Sequence, residues 1–332
     1  MNRNAFWQGK RVLVTGASGF VGRNLVPLVR DTGCELFTPT RHDYDLLEQD
    51  QVRRMFAEIR PEVVLHLAAL SAGILANKQY PASFCYQNLL METMVMHEAS
   101  AAGVRKYVTL MGGCSYPAHA PSPIRETELW NGFPQPESAP YSLAKAMNVI
   151  LADSYRRQHG FDAIVLVPGN LYGPHDNYDL SNSHVIPATI RKFWEARERG
   201  DRVVVSWGSG RPVRDFVYVE DVCRAIVLAT ETYSSSDIVN ISSGVPVTIR
   251  ELVETVAELT GFAGEVRWDT SKPDGQMEKG FDVTRLRERL GYTCPTSLRA
   301  GLAKTIAWFT ESHDAVRLDV PVEPASAVAA PR

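Results

Sequence analysis

The stretch VLVTGASGFVG, residues 12–22, constrains the fold more than any other part of the chain. A β-branched run passes directly into Gly16, Gly19 and Gly22, and a helical period begins at once behind them. That spacing lets the backbone approach a pyrophosphate at the N-terminus of the helix, where unpaired N–H groups point outward. It makes Gly16, Ser18, Gly19, Phe20, Val21 and Gly22 candidate dinucleotide contacts. Three glycines alone also suit a plain tight turn; the strand before them and the helix after them favour the nucleotide.

The alternation of strand and helix repeats along the first half of the chain. Residues 11–15, 35–40, 63–69, 106–111 and 162–168 read as strands, with helices over 20–31, 49–59, 84–102 and 141–158. Near-continuous apolar strands separated by helices predict an α/β fold, a doubly wound parallel Rossmann sheet covered on both faces. This half runs over 1–173. Beyond Gly173 the rhythm changes to a smaller mixed α/β lobe over 174–314, with helices over 184–200, 248–260 and 296–311 and short strands at VVVSWGSG and DFVYVED. A strand such as 238–242 is placed to return to the main sheet. The segment 315–332 is Pro/Ala-rich without periodicity and is expected to be disordered.

The formal net charge of −3 provides no basic field for nucleic acid. The longest apolar stretches are strand-length, so no membrane span is expected, and the first residues lack the apolar core of a signal peptide. Five scattered cysteines without CxxC spacing argue against a disulfide framework or a metal site and suit a cytoplasmic protein.

Two further local patterns carry chemistry. The second strand runs into TPTRHDYD, with Arg41 where an NAD site usually has its carboxylate. A cation there suits the 2′-phosphate of NADP, although a solvated surface arginine reads the same way. PYSLAKAMN sets Tyr141 and Lys145 four apart on one helical face. A nearby ammonium favours the phenolate and would lower the tyrosine pKa towards neutrality.

YxxxK together with the TGxxGFVG loop resembles the extended short-chain dehydrogenase/reductase family. The segments ILANKQYPASFCYQNLLMET, NLYGPHDNYDLSNSHVIPATIRKF, WGSGRPVRDFVYVEDV and TSKPDGQMEKGFDV narrow the resemblance to its GDP-L-fucose synthase group, over about residues 10–310. The resemblance implies NADP(H) and a GDP-linked 4-keto-6-deoxy-hexose or a related sugar such as a heptose, epimerised at C3 and C5, reduced at C4, or both. It implies that Tyr141 protonates O4 while Lys145 holds the nicotinamide ribose. Cys114 and His184 would be the acid/base pair of epimerisation; without the resemblance they read as two unrelated core residues. The cofactor would also meet Arg41, Asp45, Leu46, Leu67, Ala68, Ala69, Pro168, Asn170, Leu171 and His184. The substrate would meet Cys114, Asn170, His184, Val185, Lys192, Trp207, Arg214 and Lys279. No metal is implied, and a homodimer through the helices at 84–102 and 141–158 is.

Two positions depart from that group. MGGCSYP carries Gly112 and Gly113 where the pattern is GSSCxYP, whose first serine donates to the sugar's 4-oxygen; Ser115 is the next hydroxyl in sequence. Glu278 stands where an arginine is usual, an expected negative charge near the diphosphate. A redox-neutral epimerase that keeps its nicotinamide bound, and a non-catalytic nucleotide-sensing module, are the alternatives. Intact Tyr141, Lys145, Cys114 and His184 speak against the second.

Overall fold

A computed structural model describes residues 5–180, 182–272 and 274–313. The expected disordered tail over 315–332 lies outside them. In chain order the first half comprises β1 (Arg11–Thr15), α1 (Phe20–Arg30), β2 (Glu35–Phe37), α2 (Gln49–Ile59), β3 (Val63–His66), α3 (Ile74–Gln79), α4 (Pro81–Ala101), β4 (Lys106–Leu110), α5 (Ala139–His159) and β5 (Ala163–Pro168). Next come β6 (Asn170–Tyr172), α6 (Val185–Arg199), β7 (Val203–Trp207), β8 (Val213–Tyr218), α7 (Val219–Thr232) and β9 (Val239–Ile241). The chain closes with β10 (Pro246–Thr248), α8 (Ile249–Thr260), β11 (Glu265–Asp269), β12 (Glu278–Lys279), α9 (Thr284–Leu290) and α10 (Leu298–Ser312).

The main sheet has the order β2-β1-β3-β4-β5-β9, and every pairing in it is parallel. Its two faces bury different residues of one strand, as a period of two requires. Val12 and Val14 pack with Leu25 of α1 and Val222 of α7, whereas Leu13 packs with Val52 of α2 and Val95 of α4. The chain leaves β1 for β2 on one side and returns to β3 on the other. That reversal opens a crevice at the strands' carboxyl ends, where the glycine loop sits.

The strand expected to return does so: β9 pairs with β5, with Val239 opposite Leu166. The expected strand at 35–40 stops at Phe37, just before Pro39, which has no N–H to offer a ladder. β8 anchors a second sheet, pairing antiparallel with β10 and parallel with both β6 and β12. Phe216 of β8 packs there with Phe193, Leu252 and Phe309 of α6, α8 and α10 in a separate core.

Candidate active site

A cleft of about 1120 Å³ runs between the carboxyl ends of the main sheet and the second sheet. At one end the glycine loop is shaped by close backbone contacts. Gly16 adopts φ +70°, and a Cβ there would lie 2.6 Å from the Ala68 nitrogen. A Cβ on Gly22 would lie 2.3 Å from the Gly16 oxygen, so the third glycine lets helix and loop meet. Gly19 caps α1 without a side-chain bond, and the helix has no acidic residue in its first turn. The first N–H groups are thereby left to an anion. Arg23 also lines the cleft, its Nε donating to the Ser18 carbonyl at 3.0 Å.

Most of the expected site comes together here. Gly16, Ser18, Gly19, Phe20, Val21, Gly22, Leu67 and Ala69 line one end of the cleft; Pro168, Asn170 and Leu171 line its floor. Cys114, Tyr141, Lys145, His184, Val185, Trp207, Arg214 and Lys279 line it as well. Ala68 stands behind Gly16 rather than on the surface of the cleft. Arg41, Asp45, Leu46 and Lys192 lie outside its lining. Arg41 is exposed beyond β2, with its Nε 3.3 Å from Asp45 Oδ2. Lys192 instead donates to the Val205 carbonyl.

The centre of the cleft is built by α5 and by the turn after β4. Tyr141 leans edge-on to Phe84, with ring centroids 6.3 Å apart, and is hydrogen-bonded to Ser71. Burial, with Cys114 next in effect, pushes its phenol well above the ordinary tyrosine value. This reverses the expectation from the Tyr–Lys spacing, chiefly because burial opposes the phenolate. Lys145 is itself buried and forms an ion pair with Glu92, so its charge is already matched. Glu92 Oε2 also accepts from Thr109 Oγ1 at 3.1 Å. Burial would raise the Glu92 carboxyl, but Lys145 and His66 outweigh that and hold it low.

The two glycines have separate causes. A Cβ on Gly113 would lie 2.5 Å from Phe281 Cζ, so a phenyl ring fills that space. A Cβ on Gly112 would lie 3.1 Å from Cys114 Sγ and 3.8 Å from the Tyr141 hydroxyl, so this position faces the reactive groups directly. Ser115 does not replace the missing hydroxyl; it is buried and donates to the Ser142 carbonyl at 2.8 Å. His184 caps α6 at the cleft wall, where desolvation lowers its pKa.

Where the second sheet borders the cleft, the register of β8 and β12 sets Lys279 beside Arg214. Burial lowers the pKa of each. Two neighbouring cations in a partly dry wall form a site for a polyanion. Glu278 pairs with Val213, one residue out of phase, and is exposed outside the cleft lining. The negative charge expected there is therefore turned away from the cleft. Trp207 is 69% exposed at the mouth, and Asp274 holds the following turn by accepting from Ser209 N and Oγ at 2.6 and 2.7 Å.

Several lining residues escaped the sequence reading. Arg23 follows the last glycine immediately and was legible from that position. His175 and Asp176 carried no local signal: His175 adopts φ +69°, and Asp176 is buried with Oδ2 unpaired. Burial raises the Asp176 carboxyl to about 7.

The model of the NAD dependent epimerase/dehydratase family matches residues 12–242, more than half of the chain. The chain belongs to this family. It is 42% identical over 318 residues to GDP-L-fucose synthase of Escherichia coli (strain K12), covering 93% of this chain and 99% of that protein. Among solved structures it resembles a GDP-6-OMe-4-keto-L-xylo-heptose reductase from C. jejuni, with TM-score 0.85, 27% identity, and coverage of 92% and 98% of the two chains. A GDP-L-fucose synthetase from Naegleria fowleri bound to NADP gives TM-score 0.85 and 26% identity over 93% of this chain and 97% of that one.

Proposed function

We propose that the protein is an NADP(H)-dependent epimerase/reductase acting on a GDP-linked 4-keto-6-deoxy-hexose or a closely related heptose. One observation carries this reading: Tyr141, Cys114 and His184 line the same cleft as the glycine loop and the Arg214–Lys279 pair. By their names the relatives act on or make GDP-sugars, and one of them holds NADP.

The residues fit the cofactor. The uncapped N-terminus of α1 and Arg23 suit its pyrophosphate, and exposed Arg41 suits a 2′-phosphate. Bound there, NADPH would supply a hydride to the sugar's C4. Tyr141, whose proton is held tightly by its buried setting, is the donor to the developing alkoxide at O4. Arg214 and Lys279 would grip the diphosphate, with Trp207 at the mouth. The C4 ketone acidifies the protons on C3 and C5; the Cys114–His184 pair would remove each and return one on the opposite face. Lys192 is assigned no part in holding substrate, since it is turned to Val205.

Residues 1–173 are the proposed cofactor-binding half and residues 174–314 mainly the substrate-binding half. The proposed assembly is a homodimer through α4 and α5. Leu143, Met147 and Ile150 leave an apolar stripe exposed on α5, and Tyr86 is exposed on α4. The proposed compartment is the cytoplasm, in keeping with five free cysteines.

The test uses GDP-4-keto-6-deoxy-mannose and NADPH. Loss of nicotinamide absorbance with appearance of a reduced GDP-sugar is expected, and Tyr141→Phe should abolish it while leaving NADPH affinity intact. No turnover and no proton exchange on any 4-keto nucleotide sugar would overturn the reading. Near-normal turnover in Tyr141→Phe would remove Tyr141 from the role of donor.

A further inference from the structure

The ion pair of Lys145 with Glu92 is deeply embedded. The carboxylate and ammonium side chains are 1% and 5% exposed, and only the lysine reaches the lining of the cleft. Around the carboxylate stand Thr109, donating at 3.1 Å, and His66, whose Nε2 lies 3.4 Å from Oε2; the buried phenols of Tyr107 and Tyr141 are further titratable neighbours. On its other side, His66 Nδ1 is 2.7 Å from Thr15 Oγ1. Thr15 Oγ1 in turn accepts from the Ala68 nitrogen at 3.4 Å. Because the Glu92 carboxylate can only accept, the ring hydrogen is assigned to Nε2, which faces it, and Nδ1 then accepts from Thr15 Oγ1. Burial, opposed by Glu92 and assisted by Lys145, pushes the imidazole down to about 4, so it stays neutral.

This arrangement has a chemical consequence. An ammonium beside Tyr141 should favour the phenolate, yet Lys145 already faces a full negative charge. The groups that bear on Tyr141 are Cys114 from the turn after β4, Ser71 from the segment after β3, and Glu92 from α4. Glu92 is the only carboxylate among them, and its ion-pair partner Lys145 lines the cleft. A residue kept solely for packing would have no need of three polar partners on one carboxylate.

We propose that Glu92, oriented by Thr109 and His66, is a positioning residue that fixes Lys145 and sets how much of the lysine's charge Tyr141 experiences. With Glu92 engaged, the tyrosine keeps its proton until the reacting oxygen needs it. The same carboxylate links α4 to β3 and, through His66 and Thr15, to the start of the glycine loop. The role as a tuner of the proton donor rests on the proposed epimerase/reductase function, but the electrostatic claim does not require that the substrate be right.

The experiment therefore reads Tyr141 without a substrate. A difluorotyrosine is placed at position 141 alone, and its ionisation is followed by fluorine NMR in the full-length protein. Glu92→Gln keeps the shape and removes the charge, so the Tyr141 midpoint should fall by about one pH unit or more as Lys145 loses its partner. In a Lys145→Met background the same Glu92→Gln change should move the midpoint by less than half as much. A full-sized shift in that background would mean that Glu92 acts on Tyr141 directly, and would overturn the proposal. So would an unchanged midpoint in folded Glu92→Gln. Should Glu92→Gln not fold, Glu92→Asp decides: it keeps the buried charge but draws it back from Lys145, and a smaller fall is expected, an unchanged midpoint being the overturning result. Absence of turnover alongside the expected shifts would refute the proposed reaction and leave this inference standing.

Discussion

Phe281 fills the volume that a side chain on Gly113 would need. A Cβ there would stand 2.5 Å from Phe281 Cζ and 2.8 Å from Cε1. The ring is itself buried, packed at 6.2 Å from Tyr116 in the core beneath the active-site turn. The glycine and the phenylalanine are two halves of one packing solution.

Gly113→Ser should therefore destabilise the protein by about 1–3 kcal/mol, the usual cost of overpacking a filled core. Adding Phe281→Leu should recover much of that loss, because it opens room at the clash. Thermal unfolding of the two single variants and the double variant measures the coupling. Additive losses would mean the two residues do not compete for space.

The sequence identified this turn as unusual but had no means of separating its two glycines. Phe281 is far from residue 113 along the chain, and only the fold brings them together. The parallel strands and the loop they carry were legible because each depends on local periodicity and on a turn of fixed spacing. The return of β9 was legible for the same reason. Partners such as Glu92 and His66 were not, because a buried charge looks in sequence like any charge on a helix. The orientation of Glu278 turned on strand register, which one residue of slip would have reversed.

Arg41 tests cofactor choice from outside the cleft lining. Its side chain is 66% exposed and its Asp45 partner is weakly held, so it is free to meet a 2′-phosphate. Arg41→Ala should weaken NADPH binding about tenfold or more and leave NADH nearly unchanged, a charge-assisted contact being worth about 1.5–3 kcal/mol. Fluorescence titration with both cofactors reads this. Equal losses would mean that Arg41 does not distinguish them.

Asp176 gives a prediction with a definite sign in pH. Its folded-state pKa is raised to about 7 from an ordinary 3.8, with burial as the main cause and the Asn177 N–H opposing. Below both values the acid is protonated folded or unfolded and has no effect. Between them only the unfolded chain releases the proton, so stability falls as pH rises, and the penalty is complete above about 7. Asp176→Asn preserves an acceptor for the Asn177 N–H, which now donates at 2.7 Å. Its stabilising effect should thus be larger at pH 8 than at pH 5, by several degrees in Tm for about 2–3 kcal/mol. A gain independent of pH would show that the carboxyl is not carrying this penalty.

The last prediction concerns Gly112 and Cys114. The pair lines the cleft with Tyr141 and His184, and a Cβ on Gly112 would lie 3.8 Å from the Tyr141 hydroxyl. No hydroxyl stands at that position, and Ser115 is committed to Ser142. A missing donor to a developing oxyanion costs about 10²–10³ in rate, so reduction at C4 should lag behind proton exchange at C3 and C5. In deuterated water with GDP-4-keto-6-deoxy-mannose, deuterium should enter the sugar before much NADPH is consumed. Cys114→Ser should slow that exchange strongly, since an alcohol is a far weaker acid/base partner than a thiol near neutral pH. Gly112→Ser should speed NADPH consumption by up to about 10², because it restores a donor. The backbone permits it: Gly112 has φ −78° and ψ 144°, and only Cys114 Sγ, 3.1 Å from the new Cβ, must yield. Reduction without detectable exchange would make the protein a reductase alone. Normal exchange in Cys114→Ser would reduce the thiol to packing, and the open space at Gly112 would then be room for a bulkier sugar.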